Sequence, residues 1–436
     1  MIAQLGHRLK VEKSKQVLTS FAGLPLLTEL AHNSRLVREL DSIPGLWERA
    51  GAYRTSDYVL GLAMTLAAGG EGLDDTRVLR EDAGLKQMML PAMPAANSMG
   101  DFLRRFGHRT IHRLGGVNAK LARRVLADVQ GPLTLDLDAS LQEAHKKDAL
   151  WTYKGFPGYN PVLAWVEEAD VFLAGVFRAG NASPQSHIRS LLHHCRKELP
   201  QGRKLRLRSD SAGYRLDVMD YCVKHGIEYA IGADLDAAVR EAIEEIPDGK
   251  WQLVVRGNDA FLLAETIYAP GRGNNAWDVP ACRLVVTKKV SGQLELFKEP
   301  IKHRAIITTL PATMTAEQVL GFYNDRGKAE KAIGELKIGF GLEGLPCGQL
   351  MANAAFFQTA LIAYNLVQLF KRRALPKGWR TLGIKSLRFR LLGQAGRVVR
   401  HARSVVLRLS ADFPFLDVFE AARWAVLAPL TANGCG

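Results

Sequence analysis

The stretch LTLDLDAS, residues 133–140, decides how the chain is read. Leu133, Leu135 and Leu137 alternate with Thr134, Asp136 and Asp138, the two-residue period of a strand with one apolar and one polar face. Gly131-Pro132 sets it off from a different pattern upstream. A helix is predicted from about Thr55 to Ala68, stopped by Gly69-Gly70. Pro91 and Pro94 mark a break, after which Ser98-x-x-Asp101 resembles a capping box opening another helix. Residues 1–130 therefore read as a helical N-terminal domain.

Downstream of LTLDLDAS, the turn-rich GFPGYNP (155–161) leads into two apolar runs, VLAWV (162–166) and VFLAGVF (171–177). A helix over 185–199 follows. In KLRLRSD (204–210) the alternation returns, with Leu205 and Leu207 on one face and Arg206, Arg208 and Asp210 on the other. A helix over 214–225 and the strand EYAIGA (228–233) complete the order β-β-β-α-β-α-β, which predicts an α/β fold with a mixed sheet. Residues 236–312 interrupt it. After one short helix they supply WQLVVRG, FLLAETIY, CRLVVTKKV and RAIITTL, a β-rich insertion. Helical periodicity resumes at Thr315. The run AAFFQTALIAYNLVQLF (354–370) includes Gln358, Asn365 and Gln368 and reads as a buried helix, not a membrane span.

A chain of 436 residues with 47% apolar side chains is expected to form two or three domains. Five scattered cysteines (Cys195, Cys222, Cys282, Cys347, Cys435) without a C-x-x-C pair argue against a disulfide framework or zinc knuckle and for a reducing cytoplasm. The N-terminus MIAQLGHRLK has no apolar signal core. The net charge of +14 is unevenly placed. Seven Lys or Arg and no carboxylate run from Arg104 and Arg105 to Arg124. Twelve and none run from Lys371, Arg372 and Arg373 to Ser410. Unbalanced charge of one sign implies a polyanionic partner, and nucleic acid fits it.

FYNDRGKAEKAIGELKIGF (322–340) reads as one helix. At a hundred degrees per residue, Tyr323, Arg326, Glu330 and Lys337 fall in one stripe about 60° wide. Phe322, Ala329, Ile333, Leu336 and Phe340 form the core-facing stripe beside it. Gly327 and Gly334 flank the polar stripe, each at a cost of about 1 kcal/mol relative to alanine. Small residues beside a charged row leave room for something large to approach the backbone.

Three carboxylates stand out: Asp138 and Asp210, each ending a strand, and Glu330 on this helix. If the strands are neighbours, the two aspartates can share one divalent cation and Glu330 can ligate a second. Mg²⁺ takes such hard oxygen donors, and paired ions stabilise the attacking and leaving oxygens of a phosphoryl transfer. Asp210 could equally be a helix cap. Asp136 shares the face of Asp138, so it is a second candidate ligand and one of the two is structural.

The spacing Y-x2-R-x3-E-x6-K, here Tyr323, Arg326, Glu330 and Lys337, resembles the signature of DDE transposases of bacterial insertion sequences. LTLDLDAS resembles their first-aspartate strand, RSDSAGY their second-aspartate turn, and YNDRGKAEKAIGELK with MANAAFFQTALIAYNLVQLF the glutamate helix and its successor. The resemblance covers about Gly131 to Arg373 well and the flanks loosely. It implies an RNase H-like core over 131–235 and 313–373, a β insertion over 236–312, a helical DNA-binding or assembly domain over 1–130 and a basic C-terminal region over 374–436. Asp138, Asp210 and Glu330 would bind two Mg²⁺, with Mn²⁺ able to substitute. Tyr323, Arg326 and Lys337 would contact phosphates near the cleaved end, with Arg104, Arg105, Lys371, Arg372 and Arg373 on DNA. The partners implied are double-stranded DNA (terminal inverted repeats and target) and further copies of the chain on paired ends, with no membrane. A nuclease lacking strand transfer and a non-catalytic DNA-binding protein stay open. His145, His193 and His194 read as ordinary surface or capping residues, and Arg178 and Asn181 as loop residues. Trp151, Tyr153 and Tyr159 read as core packing, with stacking on a flipped base as the alternative.

Overall fold

A computed structural model describes residues 10–46, 53–88, 93–257, 259–271, 277–289, 303–402 and 404–428. The N-terminal MIAQLGHRL, Pro91, Cys435, Arg403 and residues 290–302 of the insertion lie outside them. Nine strands form one mixed sheet: β1 (Leu133–Ala139), β2 (Val162–Val166), β3 (Val171–Val176), β4 (Leu205–Ser209), β5 (Glu228–Ala233), β6 (Gln252–Arg256), β7 (Asp259–Tyr268), β8 (Cys282–Lys289) and β9 (His303–Thr308). Their order is β6-β7-β8-β9-β5-β4-β1-β2-β3. β1, β2 and β3 pair antiparallel, while β1, β4 and β5 run parallel. The alternation in LTLDLD is real, yet both faces of β1 are buried as far as Leu137, because helices cover both sides.

The insertion joins this sheet. β9 pairs antiparallel with β5, and β8, β7 and β6 follow outward, so the inserted strands share the core sheet's hydrogen-bond ladder.

The main helices are α1 (Leu24–Asn33), α2 (Thr55–Ala68), α3 (Ala96–Arg104), α4 (His108–Leu126), α5 (Ile188–Glu198), α6 (Leu216–Lys224), α7 (Ala237–Glu244), α8 (Ala316–Asn324), α9 (Arg326–Gly334), α10 (Leu350–Ala374) and α11 (Leu416–Leu427). α2 ends as expected, with Gly69 at φ +108° and the Gly69 and Gly70 amides both donating to the Thr65 carbonyl. At its start the acceptor is Asp57, which takes the Arg54 amide at 2.6 Å. α3 lacks the expected capping box: Ser98 lies inside the helix, and Asp101 pairs with Arg104 at 2.6 Å.

α10 is apolar all round because it is buried all round, from Ala352 to Lys371. It lies between α2, α3 and α4 on one side and β3 on the other. Asn365, at its middle, is fully satisfied there. The Asn365 Oδ1 accepts the Phe172 amide at 3.0 Å, and its Nδ2 donates to the Phe172 carbonyl and to Asn118 on α4, both at 2.8 Å. One apolar cluster consequently runs from Leu24 to Val426. The short strand Leu18–Thr19 also pairs with the hairpin strand Gly396–His401, tying the two ends of the chain together. The helical N-terminal region and the central sheet share a core instead of standing apart.

Candidate active site

The parallel register of β1 and β4 sets Asp136 beside Arg208 and Leu137 beside Ser209. One residue further along each strand come Asp138, still paired with Leu163 of β2, and Asp210, just past the end of β4. Asp210 accepts the Ala212 amide at 3.1 Å and caps the turn Ser211–Gly213. α9 lies against β1 and brings Arg326 and Glu330 to this end of the strands. The Arg326 guanidinium stands 3.5 Å from Asp138 Oδ2.

Burial pushes Asp138 up to about 7; Arg326 opposes that, and Asp210, Glu330 and Asp136 add to it. Burial works against the charge of Arg326, but Asp138, Tyr323, Asp210 and Glu330 outweigh it and raise its pKa. The three carboxylates therefore share one electrostatic field, with a surplus of negative charge. Their hard oxygens suit a divalent cation. Among the described residues, however, no three of His, Cys, Asp and Glu stand at the spacing of a shared ion. Arg326 supplies the positive charge at Asp138 that a cation would otherwise bring.

Asp136, the second candidate ligand, is committed elsewhere. Both its oxygens accept from Arg208, at 2.9 and 2.6 Å, and Arg208 also reaches Glu167 at 2.7 Å. This pair is wholly buried, and Arg208 additionally donates to the Phe322 carbonyl at 3.0 Å, tying the sheet to α8. Removing one partner of such a pair costs about 3–5 kcal/mol, since it strands a buried charge. Arg208 and Glu167 are the residues that sequence reasoning missed. Strand parity put Arg208 on the polar face, but only the register shows which aspartate it meets.

The stretch 322–340 is not one uniform helix. It breaks at Asp325 between α8 and α9, and Glu335–Gly339 form a π-helical turn in which the Phe340 amide reaches the Glu335 carbonyl. Tyr323 is 3% exposed, packed among Ala230, Ile306 and Leu320, so its ring is part of the core and not the exposed stripe residue the helical periodicity suggests. Arg304 and Arg326 stand over its ring, 4.7 and 5.8 Å from the centroid. Lys337 donates to the Leu141 carbonyl at 2.9 Å, and burial lowers its pKa against the pull of Glu343 and Asp138. A side chain at Gly327 or Gly334 would meet nothing within 4 Å, so this face of the helix is open.

The basic runs divide in two. Lys371 is buried near Asp170 and Glu335. Arg372 donates to the Glu168 and Ala169 carbonyls, and Arg373 to that of Ala428 at 2.6 Å. Arg104 is taken by Asp101, and Arg105 reaches the Leu46 carbonyl at 3.4 Å. Lys371, Arg372 and Arg373 are thus tied into the fold, whereas Arg104 and Arg105 keep exposed side chains. Arg109, Arg113, Lys120, Lys385, Arg390, Arg397, Arg400 and Arg408 are exposed.

Of the remaining candidates, His145 meets Glu143 and His193 meets Tyr221. Arg178 is buried and donates to the Asn160 and Ser183 carbonyls, closing its own loop. Tyr159 is core, whereas Trp151 and Tyr153 are not, being 68% and 65% exposed.

A family model described as transposase DDE domain, group 1, matches residues 3–430. No curated protein matches the chain. Among solved structures, the cryo-EM structure of a piggyBac transposase synaptic complex with hairpin DNA is similar over 87% of this chain and 82% of that one. The identity is 11% and the TM-score 0.48.

Proposed function

The chain belongs to the transposase DDE domain family, group 1, and from that premise we propose that it cuts DNA at the ends of a mobile element and joins the freed 3′ strands to a target. Asp138, Asp210 and Glu330 are its catalytic carboxylates in this reading. The carrying observation is the parallel register of β1 and β4, which places two aspartates at the same end of neighbouring strands, where α9 presents a glutamate. The order β3-β2-β1-β4-β5, three antiparallel strands followed by two parallel ones, supports an RNase H-like core enlarged by β6 to β9.

The three carboxylates would hold divalent cations, Mg²⁺ or Mn²⁺, which supply a deprotonated water and charge neutralisation at the attacking and leaving oxygens. The chain's own residues prepare the rest. Arg326 is held against Asp138 and is free to turn toward a phosphate once that carboxylate has another counter-charge. Tyr323 positions Arg326 through its ring, over which that guanidinium stands. Lys337 fixes the segment after Asp138 through the Leu141 carbonyl. The open backbone at Gly327 and Gly334 lets a duplex come close, and the exposed basic residues grip its phosphates at any sequence. Two element ends and one site per chain call for more than one copy in the working complex.

Glu330 is exposed, so Glu330→Gln leaves folding intact. We expect that variant to bind a duplex carrying the element's terminal repeat as tightly as wild type. Its Mg²⁺-dependent cleavage should fall by about a thousandfold or more. Undiminished cleavage would remove Glu330 from the catalytic set.

A further inference from the structure

Four residues beyond Asp138 the chain leaves the main sheet and builds a small one of its own. Gln142–Glu143, Leu150–Trp151 and Pro157–Tyr159 pair antiparallel in the order Gln142–Glu143, Pro157–Tyr159, Leu150–Trp151. Its base is fixed beside the active edge. Lys337 holds the Leu141 carbonyl, the Asp148 amide donates to Gly348 at 3.0 Å, and Asp148 Oδ2 accepts the Leu350 amide at 3.0 Å. Gly158 and Gly180 let the backbones close up: a Cβ on either would lie 2.1 Å from a carbonyl oxygen of the small sheet. The outer turn is equally defined. Thr152 donates through both its amide and its hydroxyl to the Phe156 carbonyl, and Gly155 takes φ +83°.

What this rigid tongue displays is apolar and basic. Leu150, Trp151 and Tyr153 are exposed, as are Lys147 and Lys154. Exposing a tryptophan and a tyrosine together on a short, well-tied hairpin forgoes the stabilisation their burial would bring. Over residues 142–159, Lys146, Lys147 and Lys154 outnumber Glu143 and Asp148, so the local excess charge is positive. Ring faces beside lysines suit unpaired bases on a phosphate chain, since stacking accepts any base and lysine takes the phosphate.

We propose that this tongue binds single-stranded nucleotides at a DNA end, with Trp151 and Tyr153 stacking on bases and Lys147 and Lys154 neutralising phosphates. The proposal rests on the transposase reading and adds a contact outside the carboxylates. The test uses the full chain in metal-free buffer with two probes, a blunt duplex and the same duplex with a short single-stranded overhang. Wild type should prefer the overhang by about tenfold or more, with quenching of tryptophan fluorescence. Trp151→Ala/Tyr153→Ala should bind the blunt duplex normally and lose the preference, while Trp151→Phe/Tyr153→Phe should retain most of it. Equal binding of both probes by wild type, or a preference that survives the double alanine variant, overturns the tongue alone. Failure of wild type to bind either probe overturns the DNA-binding reading and the tongue with it. Altered sedimentation of the double alanine variant, with its overhang preference intact, would make the patch a self-association face and also overturn the proposal.

Discussion

Asp138 has the clearest pH signature of any residue at the site. Its pKa in the fold is about 7 against an ordinary 3.8, because burial and neighbouring carboxylates disfavour its charge. The folded state therefore holds a proton there that the unfolded state releases. Stability falls as pH rises between those two values, by on the order of a few kcal/mol at most. Without metal, Asp138→Asn should gain on wild type in urea melts as the buffer moves from pH 4 to pH 7. Above pH 7, Mn²⁺ or Mg²⁺ should narrow that gap by stabilising wild type and not the variant. A gap that ignores both pH and metal would mean that Asp138 lies in no surplus of negative charge. Two residues away, Asp136 has the same letter and the same strand face but a different fate, since Arg208 takes both its oxygens.

At the scale of one element, the segment from Ala316 to Phe340 trades helix stability for access. Gly327 and Gly334 face open space, so alanine fits at both positions without meeting a neighbour. The double variant Gly327→Ala/Gly334→Ala should gain about 1 kcal/mol or more in denaturant melts. In the same protein, binding to duplex DNA measured by anisotropy should weaken severalfold. A stabilised variant with unchanged affinity would show that the glycines serve no approach to this face. The π-helical turn at Glu335–Gly339 lies between Glu330 and the long buried α10. It shifts the helical phase just where Lys337 must reach back to Leu141, a placement common near functional sites. Uniform helical geometry put Lys337 in the polar stripe; the turn decides what it touches.

The whole molecule depends on α10, which is clamped between the N-terminal helices and β3 through the Asn118–Asn365–Phe172 bonds. A fragment of residues 131–373 would expose the face of α10 that α2, α3 and α4 cover. It should be insoluble or molten, without a cooperative thermal transition, whereas the full chain unfolds in one step. A soluble, cooperatively folding fragment would show that the sheet carries its own complete core. Much of the element pattern was legible in the residues: alternation marked β1 and β4, an apolar run with few polar residues marked α10, and the Tyr-Arg-Glu-Lys spacing marked the segment that carries Glu330. These follow from local periodicity, which each short segment carries within itself. Which aspartate pairs with Arg208, which basic residues end on carbonyls, that Tyr323 is buried while Trp151 is not, and that the insertion extends the sheet came from the fold alone. Each of those depends on register and on contacts between residues far apart in the chain, and such pairings are fixed by how the surfaces close on one another.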